Sequence, residues 1–168
     1  MLWTEAIVAA LRRHGVKLIA YLPDLIVSRV LSLMEKEPFF TMVPVAREEE
    51  CVGILAGAYL GGMRGAMFAQ NSGLGNCVNA LASLAVPWQT PILMFLGQRG
   101  ELGEFNVSQT GMGRATRPIL EALGIPHVTL SHPEEVESFT SDGIKLAYTT
   151  RTSIGFILPR QLTGGKDE

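Results

Sequence analysis

Val43–Asn76 reads VPVAREEECVGILAGAYLGGMRGAMFAQNSGLGN, and this stretch decides the fold. Its order is strand, acidic turn, small-residue helix, strand, then a Gly/Asn-rich loop that opens another helix. That order puts a semi-buried carboxylate and a polar, backbone-rich loop at the same end of neighbouring parallel strands. In an open α/β sheet, ligands bind at that end. A carboxylate entering an apolar helix face costs free energy unless it finds a partner, so it asks for a reason.

Outward from this stretch, helix and strand signals alternate along the chain. Thr4 can cap a helix whose Ile7, Val8 and Leu11 share one face, with Gly15 at its C-terminal stop. Lys17–Leu22 is a short β-rich run ended by Pro23, and Asp24 caps a helix bearing Leu25, Val30, Leu31 and Met34. Phe39–Val45 is the next strand, then a helix over Glu48–Leu60, a strand over Gly65–Ala69 and a helix over Leu74–Ala85. Pro91–Leu96 is a strand, and Gly97–Gly113 is the longest irregular segment, a length that favours a functional lid or disorder. A helix over Arg114–Leu123, a strand over His127–Leu130 and a capping box at Ser131, Pro133 and Glu134 follow, the last opening a helix to Thr149. Ser153–Leu158 is a sixth strand. The pattern predicts an α/β fold, a single doubly wound six-stranded parallel sheet with helices on both faces. It places one domain over residues 1–160 and a polar C-terminal tail over 161–168.

Composition narrows the function. The 168 residues carry 47% hydrophobic and 18% charged residues and a net charge of −2, a globular, apolar balance. That charge gives no electrostatic case for nucleic acid or an anionic membrane. No apolar run reaches the roughly 18 residues that span a bilayer, and no signal peptide opens the chain, so the expected location is cytoplasmic. Low charge for this size hints at surface covered by another subunit. Cys51 and Cys77 lack CxxC or Cys/His spacing and read as small buried hydrophobes. His14, His127 and His132 have neither triad partners nor metal spacing and read as structural, so no metal site is expected on this chain.

Glu48, Glu49 and Glu50 stand at the positive end of a helix dipole. At about 100° per residue Glu50 points away from the Val52, Leu55, Ala56 and Tyr59 face, while Glu48 and Glu49 flank it. The spacing from Glu49 through Ala56 to Tyr59, between a strand and a Gly-rich loop, resembles the pyrimidine-binding (N-terminal) domain of thiamine diphosphate enzymes. Arg47–Leu60 and Gln70–Asn76 are most similar to that branch of the family that decarboxylates sulfopyruvate and phosphonopyruvate. The resemblance covers about Thr4 to Leu158.

It implies that Glu49, with Glu48 as the fallback, is the catalytic carboxylate. Held in a low-dielectric site, it would bond the N1′ nitrogen of the aminopyrimidine and favour the tautomer that removes the thiazolium C2 proton. It further implies cofactor contacts from Pro23, Asn71, Ser72, Gly73 and Tyr59, with Asn76 bracing the turn. Substrate contacts fall to Asp24, Gln98, Arg99 and Gln109; Asn106 and Arg114 are further lid candidates. Pro23-Asp24 reads equally as an N-cap, and Arg99 equally as a solvated loop cation. The family's diphosphate signature, Gly-Asp-Gly with a downstream Asn, is missing, since Ser141-Asp142-Gly143 falls inside a predicted helix. The resemblance therefore implies half an active site. A partner beta chain would hold thiamine diphosphate through Mg2+, the alpha chain would also self-associate, and the substrate would be an anionic 2-oxo acid. The alternative is a non-catalytic flavodoxin-like module, its Gly-rich loop gripping a small anion or nucleotide.

Overall fold

The structure, a computed structural model, describes residues 2–164. Six strands pair in parallel in the order β2-β1-β3-β4-β6-β5. They are β1 (Val16–Tyr21), β2 (Thr41–Pro44), β3 (Arg64–Gln70), β4 (Leu93–Gly97), β5 (His127–Thr129) and β6 (Ile154–Leu158). The helices are α1 (Trp3–Arg13), α2 (Ser28–Met34), α3 (Glu48–Leu60), α4 (Asn71–Ala80), α5 (Val107–Ala122), α6 (Val136–Thr150) and α7 (Arg160–Thr163). Every strand expected from sequence is present. The chain runs outward from β1 to β2, then returns to β3 on β1's other side. Such a reversal opens a crevice at the carboxyl ends of β1 and β3.

Two apolar layers hold the helices to the sheet. Ile7, Leu11, Val30, Met34 and Ile144 bring α1, α2 and α6 onto one face. Val52, Leu55, Leu74, Cys77 and Leu120 bring α3, α4 and α5 onto the other. On the first face Phe68, Phe95 and Phe156 lie in register across β3, β4 and β6. Their rings stack at 4.5 and 4.6 Å between centroids. Gly143 is glycine for this reason: a Cβ there would come within 2.6 Å of the Phe156 ring.

Several boundaries differ from the sequence reading. Thr4 is buried within α1, and the cap position is Leu2, whose N–H donates to Glu5 Oε2 at 3.0 Å. Asp24 closes a turn by accepting from Ile26 N at 2.8 Å, and α2 starts only at Ser28. The Gly/Asn-rich loop does not exist as a loop, because α4 begins at Asn71 directly after β3 and continues into a π-turn over Leu81–Ala85. The irregular segment is also shorter. Asn106 caps α5 by accepting from Ser108 N at 3.0 Å, so Gly111 and Gly113 are helical. The expected capping box is a 3-10 turn over Pro133–Glu135 leading into α6. Finally, α7 buries Leu162 and Thr163, so the packed body runs past residue 160. Residues 165–168 of the expected tail lie outside the described ones.

Candidate active site

β2 delivers the chain to the ligand edge, where Arg47 precedes the first turn of α3. The three acids of that turn have three different partners. Glu50 Oε2 accepts from Ala46 N at 3.1 Å, closing the helix start on itself. Glu48 Oε2 accepts from Asn76 Nδ2 at 2.7 Å and ties α3 to α4. Its carboxyl also fills the space beside Gly73, where an added Cβ would meet Glu48 Oε1 at 2.5 Å. Glu49 reaches outward, its two oxygens accepting from Arg47 Nε and Nη2 at 2.9 and 3.2 Å. Both side chains of that pair are open to solvent, at 63% for Arg47 and 38% for Glu49. The bond to Glu49 raises the Arg47 pKa above its ordinary value. Glu49 is thus accessible in the single chain, where a carboxylate enclosed away from water was expected.

Beside it, α4 starts with Asn71, which is fully buried. Its Nδ2 donates to Thr116 Oγ1 at 2.9 Å and to Arg99 O at 3.2 Å, and its Oδ1 accepts from Arg99 N at 3.0 Å. The carboxamide therefore fastens β3, β4 and α5 together and is turned into the fold, away from the ligand position expected for it. Gln70 Nε2 donates to Ser72 Oγ at 2.6 Å and to Gln109 Oε1 at 3.0 Å, gathering β3, α4 and α5 at one point.

Arg99 is a correction. It is 8% exposed, and its Nε and Nη2 donate to the two oxygens of Glu104 at 2.7 and 2.6 Å. Glu104 also accepts from Gly100 N at 2.9 Å and Asn106 N at 3.0 Å. With the Arg99 bond as the largest cause, its pKa falls from 4.5 to about 2. Arg99 is neither a solvated loop cation nor a bare fork awaiting an anion. Gln98 is buried too, its Nε2 donating to Arg99 O at 3.0 Å while Oε1 has no partner among the described residues.

The structure thus brings Asp24, Glu48, Glu49, Asn71, Ser72, Gly73, Gln98, Arg99 and Gln109 to one edge of the sheet, with exposed Pro23 at the end of β1. Tyr59 does not join them. It lies near the far end of α3, about 15 Å along the axis from Glu49 at the usual helical rise, with its ring 6.3 Å from Tyr148. Asn106 is a helix cap and Arg114 an exposed residue of α5. The sequence reading missed Glu104 and Thr116. An acid a few residues after a strand-end arginine was the available signal for the first, and nothing marked the second. Cys51 and Cys77 are buried, and burial pushes each thiol up to about 12, so both stay neutral and unreactive. Among the described residues no group of three or more His, Cys, Asp or Glu could hold a metal, and no helix is long and apolar enough to cross a membrane.

A carboxylate at a helix start, beside a second helix start, at the reversal of a parallel sheet defines a class. The family model described as thiamine pyrophosphate enzyme, N-terminal TPP binding domain, matches residues 1–112, and the chain belongs to this family. Among its relatives, sulfopyruvate decarboxylase subunit alpha of Methanococcus maripaludis is 34% identical over 155 residues, 92% of this chain and 93% of that one. The subunit of the same name from Methanothermobacter thermautotrophicus is 37% identical over 155 residues, 92% of this chain and 94% of its own. Phosphonopyruvate decarboxylase of Streptomyces viridochromogenes is 32% identical over 166 residues, 95% of this chain but 41% of that protein. Among solved structures, a 2-oxoglutarate:ferredoxin oxidoreductase from Magnetococcus marinus superposes with a TM-score of 0.75 at 16% identity, over 97% of this chain and 29% of that one. That likeness is one of fold. Nothing in these comparisons supports the flavodoxin-like alternative.

Proposed function

We propose that this chain is the alpha, pyrimidine-binding subunit of a heteromeric thiamine diphosphate-dependent decarboxylase acting in the cytoplasm on sulfopyruvate, phosphonopyruvate or a similar anionic 2-oxo acid. One observation carries the reading. Of the three acids in the first turn of α3, only Glu49 is held by nothing but an exposed ion pair, whereas Glu48 is tied across to Asn76 of α4 and Glu50 closes its own helix start. Its carboxylate suits the aminopyrimidine end of the cofactor. The sequence lacks the Gly-Asp-Gly signature with a downstream Asn, and in this reading a beta chain holds the diphosphate end through Mg2+. When bound, the cofactor supplies an acidic ring carbon for attack on the 2-oxo group and an electron sink for the departing carbon dioxide.

The residues of this chain divide the remaining work. Glu49 accepts the ring-nitrogen hydrogen bond and shares its proton. Glu48 and Asn76 fix the start of α3 against α4, which sets where Glu49 stands. Asn71 fixes the chain just past β4 by bonding both the N–H and the C=O of Arg99. Pro23, Ser72 and Gly73 border the cofactor, while Asp24, Gln98 and Gln109 border the substrate. With Arg99 already matched by Glu104, the substrate's anionic tail meets hydrogen-bond donors such as Gln109 Nε2 in place of an unpaired guanidinium.

A partner also has a surface to cover. Between Cys51 and Gln98 the sequence carries one charge, Arg64. The outer faces of α3, α4 and the π-turn after it accordingly present Gly53, Gly57, Gly75, Asn79, Ala82 and Ser83, flanked by exposed Leu60, Val86 and Trp88. Apolar surface without charge is what a docking chain buries. The beta chain seated there, beside Glu49, would exclude water from the carboxylate.

The test is Glu49→Gln in the enzyme assembled with its beta chain. Turnover should fall by about 10²–10⁴-fold, the usual worth of a positioned acid–base group, with an unchanged melting temperature. Turnover within a few-fold of wild type would overturn the assignment.

A further inference from the structure

Arg47 has no role in the reading above, yet it holds the residue on which that reading turns. Each Glu49 oxygen takes one Arg47 N–H, at 2.9 and 3.2 Å. A ring nitrogen arriving at Glu49 therefore competes with the guanidinium for the carboxylate. The other two acids of the turn are held differently, Glu48 by the Asn76 amide and Glu50 by its own helix start. Of the three acids, Glu49 alone is held by a cation, and among the described residues the remaining contact of that arginine is through its backbone, where Arg47 O accepts from Glu50 N at 3.1 Å. The guanidinium itself is the more exposed member of the pair.

We infer that Arg47 is a latch on Glu49, closed in the free subunit and displaced when the aminopyrimidine nitrogen takes the carboxylate. This rests on Glu49 being the cofactor's carboxylate. The latch suits an enzyme whose site is completed by a second chain. It gives an otherwise bare acid at a helix start a defined orientation before assembly, pointing along the edge where the cofactor enters. It is also weak, since an exposed ion pair shifts an equilibrium by only about two- to five-fold. Displacing it costs the cofactor little. Arg47 is thus a positioning residue, and its contact opposes cofactor binding in proportion to its own strength.

Two measurements test this. In the ¹⁵N-labelled alpha chain, the Arg47 Nε–H should give a resonance whose chemical shift Glu49→Gln changes. In the assembled enzyme, adding thiamine diphosphate should move that resonance to its position in the Glu49→Gln protein. A resonance unmoved by the cofactor would overturn the latch. Separately, Arg47→Gln in the assembled enzyme should bind thiamine diphosphate about two- to five-fold more tightly, and weaker binding would overturn it. Failure of the latch is distinguishable from failure of the wider reading. If Glu49→Gln abolishes turnover while Arg47→Gln weakens cofactor binding, the latch alone is wrong. If Glu49→Gln keeps both turnover and cofactor affinity, the role of Glu49 falls and the latch with it.

Discussion

Glu104 is the most firmly held acid on the ligand edge, accepting from the Arg99 fork and from two backbone amides. Those bonds favour its ionised form against the opposing effect of burial, and its pKa drops from 4.5 to about 2. The folded value lies below the unfolded one, so the group adds stability above about pH 4.5 and loses it as pH falls toward 2. Glu104→Gln should therefore lower the melting temperature at pH 7 and flatten its decline between these limits. Thermal melts at pH 7 and pH 2.5 check it, and an equal gap between wild type and variant at both would refute it. At this scale, legibility followed regular helical spacing and not separation along the chain. The Glu49–Ala56–Tyr59 spacing was visible because one helix carries all three, although only Glu49 belongs to the edge. The pairing of Arg99 with Glu104 was signalled only by their closeness in sequence, because it depends on how the Gln98–Asn106 segment folds back on itself. The cysteines were legible as core, as their complete burial bears out.

Among the elements, the strands were found because β-rich runs stand between clear turn signals. The starts of α4 and α5 were missed for one shared reason. Glycine disfavours helix by about 1 kcal/mol relative to alanine, so Gly73, Gly75, Gly111 and Gly113 read as loop. Two of the four serve clearance. Gly73 makes room for the Glu48 carboxyl, and a Cβ on Gly113 would meet Gly100 O at 2.3 Å. Gly57 on α3 differs, because a Cβ there meets nothing within 4 Å in the chain itself. Gly57→Arg should accordingly leave the isolated subunit folded, with an equal or slightly higher melting temperature from better helix propensity. The same change should abolish association with the beta chain in sedimentation or co-purification. Wild-type association of the variant would show that this face of α3 is not the docking surface.

For the molecule as a whole, the parallel sheet with helices on both faces followed from alternation alone, whereas the strand order did not. Order is set by which faces can be buried together, here by the Phe68, Phe95 and Phe156 column and by α3, α4 and α5 opposite it. The far end of the chain was read too short because the Gln161–Glu168 tail looks polar, while Leu162 is drawn inward by α7. A partner that binds only the folded subunit raises its apparent stability by mass action. The melting temperature of the alpha chain should thus climb with beta-chain concentration, and a flat response in calorimetry would argue against a stable complex.

The nearly uncharged run from Cys51 to Gln98 has a consequence for supply. A subunit made in excess of its mate leaves that flank facing other copies of itself. If a beta chain covers this flank, balanced synthesis of the two chains becomes a solubility requirement as much as a catalytic one.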